Sequence, residues 1–254
     1  MDPVPFALGP FGLVLGSFLN VCIYRIPRGE SVVWPASRCT SCDRHLSWLE
    51  NIPVVSWLVL AGSCRTCGQR ISPIYPIVEA TTATIFIAGY TLYGLTPLLG
   101  ARLLFASAMI VLFVIDLRHR ILPNVITVPG VVMGFAFSLF LPPGWRSSLI
   151  GLVAGAGVLF AISEVYYRLR HIEGLGMGDV KMLAMIGAFL GWRLTLVTLV
   201  LASFMGSLVG LSLLVSGRGG LKAALPFGTF LAVGALVAAA AGDSILNWYL
   251  SFYR

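Results

Sequence analysis

Long apolar runs alternate with short polar breaks along this chain. The runs cover about 6–24, 75–93, 98–115, 122–141, 148–167, 194–215 and 224–246, and a shorter one, 180–190, ends at the turn Gly191-Trp192-Arg193. The long runs have the length that a helix needs to cross a bilayer. The pattern predicts an all-α fold, a polytopic membrane bundle of about eight spans. Run 180–190 is the exception, because its 11 residues reach only ~17 Å as a helix. It requires a thinned membrane, burial within the protein, or merging with its neighbour. The division expected is a first membrane helix over 1–24, a polar loop domain over 25–74 and a membrane core over 75–254.

Composition changes this picture little and charge orients it. Hydrophobic residues make up 58% of the 254 and charged residues 11%, against about 25% charged in soluble domains. Such a chain has lipid as its solvent. Its first ten residues carry neither a basic n-region nor a small-residue cleavage site, so the first run is expected to be retained as a helix. A net charge of +7 invites a nucleic-acid reading, but the distribution of the charge points to membrane orientation. With the 25–72 loop in the cytoplasm, alternating sides place 13 of the 17 Lys and Arg residues inside, among them Arg218 and Lys222. Only Arg102, Arg146, Arg193 and Arg254 lie outside. This asymmetry is the positive-inside rule. It puts both termini outside and four loops inside, and seven spans would scramble it. No nucleic-acid partner is expected, and a monomer is the default state.

Small residues recur inside the spans, as in Gly151, Gly155 and Gly157 or Gly206 and Gly210, where close helix packing explains them. Five cysteines are present. Cys39 with Cys42 and Cys64 with Cys67 form two C-x-x-C pairs, 21 residues apart. Four thiolates so arranged suit a tetrahedral Zn²⁺, and they leave no open position for water, so the metal's role would be structural. The alternative is redox-active or idle thiols. A reducing cytoplasm disfavours structural disulfides. Cys22, alone in the first span, reads as a small packing residue.

Acidic groups in or beside membrane spans are costly and usually have a task. Asp116 ends the third span, and Asp179 follows Gly176-Met177-Gly178. In the topology above both lie at the cytoplasmic edge. Two carboxylates at one depth suit an aspartic protease, in which one activates water and the other, protonated, bonds the scissile carbonyl. The glycines before Asp179 allow close backbone approach and unusual torsions. Other readings stand beside these: an ion pair of Asp116 with Arg118 or Arg120, and a helix N-cap for Asp179. Glu164 reads as a structural pair with a basic residue. Glu79, one turn into the second span, is open between pairing, substrate contact and shaping a polar cavity. His45, His119 and His171 read as solvated surface groups, with His119 near enough in sequence to perturb Asp116.

Taken in order, the motifs resemble those of the bacterial type IV prepilin peptidases, the leader peptidase/N-methyltransferases of pilus and type II secretion systems. The resemblance runs nearly end to end: Gly16-Ser17-Phe18-Leu19-Asn20-Val21, Tyr24-Arg25-Ile26-Pro27-Arg28-Gly29-Glu30-Ser31, both C-x-x-C pairs, Asn51-Ile52-Pro53-Val54-Val55-Ser56-Trp57 and Tyr75-Pro76-Ile77-Val78-Glu79. It continues through Asp116 with Ile121-Leu122-Pro123-Asn124, Gly176-Met177-Gly178-Asp179-Val180-Lys181 and Pro226-Phe227-Gly228. The departures are Thr229, where such proteins commonly carry a further proline, and Ser63, where a basic residue is common.

The resemblance implies a catalytic pair of Asp116 and Asp179, with Gly176, Gly178, Lys181 and Glu79 binding substrate or shaping the site. It implies a prepilin or pseudopilin substrate with a basic leader and a hydrophobic stem, cut at the cytoplasmic border of the inner membrane. It also implies methylation of the new N-terminal amine by S-adenosylmethionine, an activity associated with the cysteine loop. A peptidase without methylation, a transporter using membrane acids as an ion path, and a presenilin-like protease sharing G-x-G-D are the competing readings.

Overall fold

The computed structural model describes residues 3–171, 176–216 and 225–253, and each apolar run falls in a helix, with 180–190 and 194–215 sharing one. In order they are α1 (Val4–Arg25), a short α2 (Val55–Val59), α3 (Ile74–Tyr93), α4 (Pro97–His119), α5 (Asn124–Ser138), α6 (Trp145–Arg170), α7 (Met177–Val215) and α8 (Phe227–Ser251). Among the described residues there is no strand beyond two isolated bridges in the polar loop. Long apolar runs become helices because only a helix or a closed barrel satisfies every backbone N–H and C=O in lipid. Two of the helices stop at a residue of positive φ, α3 at Gly94 and α6 at His171.

Five of the described helices are long and apolar enough to cross a membrane: Val4–Arg28, Pro97–His119, Trp145–Leu169, Met177–Val215 and Phe227–Ser251. Length and apolarity therefore support five spans, and the expected count of about eight rests on the sequence pattern. The 15 residues of α5 reach about 22 Å, short of a ~30 Å hydrocarbon core. The charge count behind the orientation includes Arg218, Lys222, Arg254 and the Arg170 side chain, which lie outside the described residues, as does the start of the last run at 224.

The chain divides into two compact units, Met1–Leu99 and Gly100–Arg254. In the first, α1 packs on α3. Gly12 and Gly16 make this approach possible, since a Cβ at either would lie 2.6 Å from the Ala83 Cα or 2.7 Å from the Glu79 Cα. Cys22 is buried in α1, as a packing residue should be.

In the second unit α7 is central and packs on α6, α8 and α5. As a straight rod its 39 residues would reach about 58 Å, nearly twice the hydrocarbon thickness. A break at Gly191 (φ 75°, ψ 169°) divides it. The half before the break holds Met182, Leu183, Met185, Ile186 and Ala188, all at 0% exposure. The short 180–190 run is thus buried within the protein and joined to its neighbour across the Gly191 break. A helix apolar on every side needs protein or lipid on every side, and here protein supplies it. Gly151 of α6 lies against Gly187 of α7, where a Cβ on Gly151 would be 2.8 Å from the Gly187 carbonyl. Gly155 also meets α7, while Gly157 faces open space and Gly206 and Gly210 make ordinary contacts. The packing explanation thus holds for Gly151 and Gly155 and is not needed at Gly157.

Candidate active site and cysteine cluster

In the second unit, the C-terminal end of α4 and the N-terminal ends of α5, α7 and α8 meet around Leu122. Gly178 and Gly228 both press on this side chain: a Cβ at Gly178 would lie 2.9 Å from the Leu122 Cβ, and one at Gly228 2.8 Å from its Cδ1. Leu122 thereby sets the spacing between the segment before Asp179 and the segment before Thr229. Asp116, in the last turn of α4, and Asp179, in the first turn of α7, are both buried, at 4% and 9% exposure. The two carboxylates are near enough for the charge of Asp116 to act on Asp179.

Each aspartate is held differently. Asp116 Oδ2 accepts hydrogen bonds from the Thr229 backbone N–H at 2.7 Å and the Thr229 hydroxyl at 3.0 Å. Arg120 acts on it as a longer-range charge. An ion pair with a neighbouring arginine is therefore not what fixes Asp116. The Asp179 N–H bonds the Gly176 carbonyl at 3.0 Å, and its carboxylate faces the Gly176 backbone. Gly176, not Asp179, is the N-cap of α7, with extended backbone (φ −72°, ψ 143°), which sets aside the capping role for Asp179.

Gly178 owes its identity to close approach. Neither it nor Gly176 adopts a positive φ, so the expectation of unusual torsions fails, and Gly176 meets Asp179 only at ordinary contact distance. Lys181 Nζ donates to Asn124 Oδ1 at 2.9 Å, tying the start of α7 to the start of α5. Thr229 and Leu122 were not singled out as site residues from sequence. Thr229 was visible only as a departure from a motif, and Leu122 is one apolar residue among many.

Glu79 belongs to the first unit and has partners there. Its Oε2 accepts the Val54 N–H at 2.7 Å, and Ser17 and Asn20 also face it. Val54 has φ 61° and ψ −50°, and the Val55 N–H reaches back to the Pro53 carbonyl at 2.6 Å. This is a tight turn that a β-branched residue rarely adopts. Glu79 thus fastens a strained turn of the polar loop to α3. Glu164 pairs with Arg168 one turn on, at 2.7 Å, as its structural reading required.

The two C-x-x-C pairs fold into matching knuckles. In the first, the Cys39 N–H bonds the Arg44 carbonyl and the Asp43 N–H returns to the Cys39 carbonyl. In the second, the Cys64 N–H bonds the Gln69 carbonyl and the Gly68 N–H returns to the Cys64 carbonyl. An antiparallel bridge closes each, Arg38 with His45 and Ser63 with Arg70. Asp43 and Gly68, at equivalent positions, both take positive φ. The four thiols are free of disulfides, and their sulfurs all lie within 4.8 Å of one another. Cys39 Sγ and Cys67 Sγ are 3.8 Å apart. Tetrahedral ligands ~2.3 Å from a shared metal would be separated by about 3.8 Å, so the cluster fits a metal ion. The N–H groups of Cys67 and Thr66 hold the Cys64 thiol well below the ordinary thiol range, at about 6. At Cys67 the Gln69 backbone is outweighed by burial and the neighbouring cysteines, which push that thiol up to about 11; without a metal's charge only part of the cluster favours the thiolate.

Fold and centre together define a multi-pass helical membrane protein with a buried aspartate pair and a four-cysteine knuckle. Residues 103–211 match the model of the type IV leader peptidase family, and residues 11–93 match the bacterial peptidase A24 N-terminal domain. The chain belongs to the type IV leader peptidase family. It is 36% identical over 271 residues to a prepilin leader peptidase/N-methyltransferase of Aeromonas salmonicida, covering 95% of this chain and 92% of that one. The protein of that name from Pseudomonas aeruginosa is 33% identical over 267 residues, covering 95% and 91%. The one from Myxococcus xanthus is 44% identical over 211 residues, and the match spans 82% of this chain but 63% of that protein. No solved structure matches the chain significantly.

Proposed function

We propose that this protein is an inner-membrane aspartyl endopeptidase that removes the basic leader from type IV prepilins or pseudopilins, with Asp116 and Asp179 as the catalytic pair. The observation that carries this reading is the meeting of two buried carboxylates, from the ends of α4 and α7, within reach of each other's charge. Like charges so placed share one proton. The ionised partner takes a proton from a water as the water oxygen attacks the scissile carbonyl carbon, and the protonated partner hydrogen-bonds the carbonyl oxygen. Collapse breaks the C–N bond and a proton passes to the leaving amine. Gly176, Gly178 and Lys181 flank the pair and would contact the substrate backbone, while Glu79 shapes the N-terminal unit.

The four cysteines would hold Zn²⁺ as a structural ion. S-adenosylmethionine would supply the methyl group for the newly exposed amine, the second activity in the relatives' name. A cytoplasmic loop, both termini outside and a monomeric state complete the reading. The test is cleavage of a purified prepilin in detergent, followed by mass spectrometry. Wild type should release the leader, and Asp116→Asn and Asp179→Asn should each leave the substrate intact while remaining folded. With S-adenosylmethionine present, the product should gain about 14 Da, one CH₂. A leader still removed by both variants would end the aspartate assignment.

A further inference from the structure

Thr229 is the residue through which α8 reaches the aspartate pair. It is the third residue of that helix, so its N–H is one of the first four that have no partner within the helix. The Asp116 carboxylate takes this N–H at 2.7 Å and the Thr229 hydroxyl at 3.0 Å, both on Oδ2. Both residues are buried, at 4% and 6% exposure, so water does not compete for these bonds. The adjacent Gly228 lets the helix end come this close, since a Cβ there would lie 3.0 Å from the same oxygen.

We infer that Thr229 is a positioning residue that holds Asp116 as the ionised partner of the pair, with Oδ1 left to receive the proton of the attacking water. Hydrogen bonds to a carboxylate favour its charged form, and Asp116 takes two of them from Thr229. Among the described residues Asp179 has less support for a charge: the Gly176 backbone alone bonds its carboxylate, against the two Thr229 donors on Asp116, and Lys181 bonds Asn124. The shared proton therefore resides on Asp179, which donates to the scissile carbonyl. In the first step the water O–H bond breaks, its proton goes to Asp116 Oδ1, and the oxygen bonds the carbonyl carbon. The Asp179 proton then moves to the developing oxyanion. The inference rests on the peptidase reading above.

Its test separates the Thr229 hydroxyl from the Thr229 methyl, using purified full-length protein and a prepilin. Thr229→Val keeps the shape and the N–H but loses the hydroxyl donor, and it should lower kcat roughly tenfold with KM within about twofold, as loss of one bond to a charged group implies. Thr229→Ser keeps the donor and should stay within about twofold of wild type. Thr229→Ala should behave like the valine variant and serves in its place if valine fails to fold, as judged by thermal midpoint in detergent. Wild-type kcat in the valine and alanine variants, or a serine variant as slow as they are, would overturn the inference and leave the peptidase reading standing. A wild-type protein that cleaves no prepilin would sink both.

Discussion

At residue scale the placement of the aspartate pair depends on close approach at Gly228. Gly228 lies between Leu122 and Asp116 Oδ2, where an added methyl would sit 2.8 and 3.0 Å from them. Asp116 Oδ2 is already held by both Thr229 donors and can yield only by loosening them. Gly228→Ala should therefore reduce cleavage sharply, by tenfold or more, as small misplacements at reacting atoms do. Gly176→Ala places its methyl at an ordinary 3.5 Å from Asp179 Oδ2 and should reduce cleavage less. Initial rates on one prepilin, measured side by side, check this order. Equal losses in the two variants would mean that the crowding around Leu122 does not govern the site.

At the scale of elements, the cysteine loop and α7 each carry a device that can be tested alone. Between the knuckles, Glu50 accepts bonds from Arg44 at 2.5 Å and from the Ser47 N–H and hydroxyl at 2.9 and 2.8 Å. The Arg44 guanidinium, helped by Ser47, lowers the Glu50 carboxyl from 4.5 to about 2. A carboxyl whose value is lower in the folded state stabilises that state above its unfolded value, and loses this as pH falls toward the folded one. The contribution of Glu50 is thus complete near neutrality and disappears between about 4.5 and about 2. Amide exchange over 44–51 should be faster in Glu50→Gln than in wild type at pH 7, and the difference should vanish near pH 2. A difference unchanged by acid would refute the pairing.

In α7, Gly191 occupies a backbone region open essentially to glycine alone (φ 75°, ψ 169°), and a Cβ there would crowd Pro143 at 2.9 Å. Strain of this kind costs about 1–3 kcal/mol, before the crowding is added. Gly191→Ala should lower the thermal midpoint in detergent, and a midpoint equal to wild type would show that the break can be relieved elsewhere.

At the scale of the whole molecule, the two units have separate cores and should answer separately to loss of metal. Cys39→Ser removes one of four sulfurs that lie within 4.8 Å, and the metal energy that orders so small a loop should go with it. Metal measured by atomic spectrometry should fall, and faster amide exchange should be confined to about 37–71. Full metal retention would show that the four cysteines are not the ligands.

Sequence alone determined much of this protein. Long apolar runs must be helices because lipid offers no partner for backbone polar groups, so the helix positions, the all-α class and the membrane as solvent were legible. So were the cysteine knuckles, since C-x-x-C spacing is a local property of one turn. The ordered motifs singled out Asp116 and Asp179, because carboxylates are rare where burial penalises charge. Tertiary structure alone decided what lies between those points. Hydropathy cannot distinguish lipid from protein as the apolar neighbour, so only packing showed that 180–190 is a buried half-helix enclosed by protein. Glu79 holding Val54, Leu122 spacing two glycines and Thr229 gripping Asp116 across 113 positions of chain are contacts between segments distant in sequence. No local pattern encodes such partners, because each depends on where another segment comes to rest.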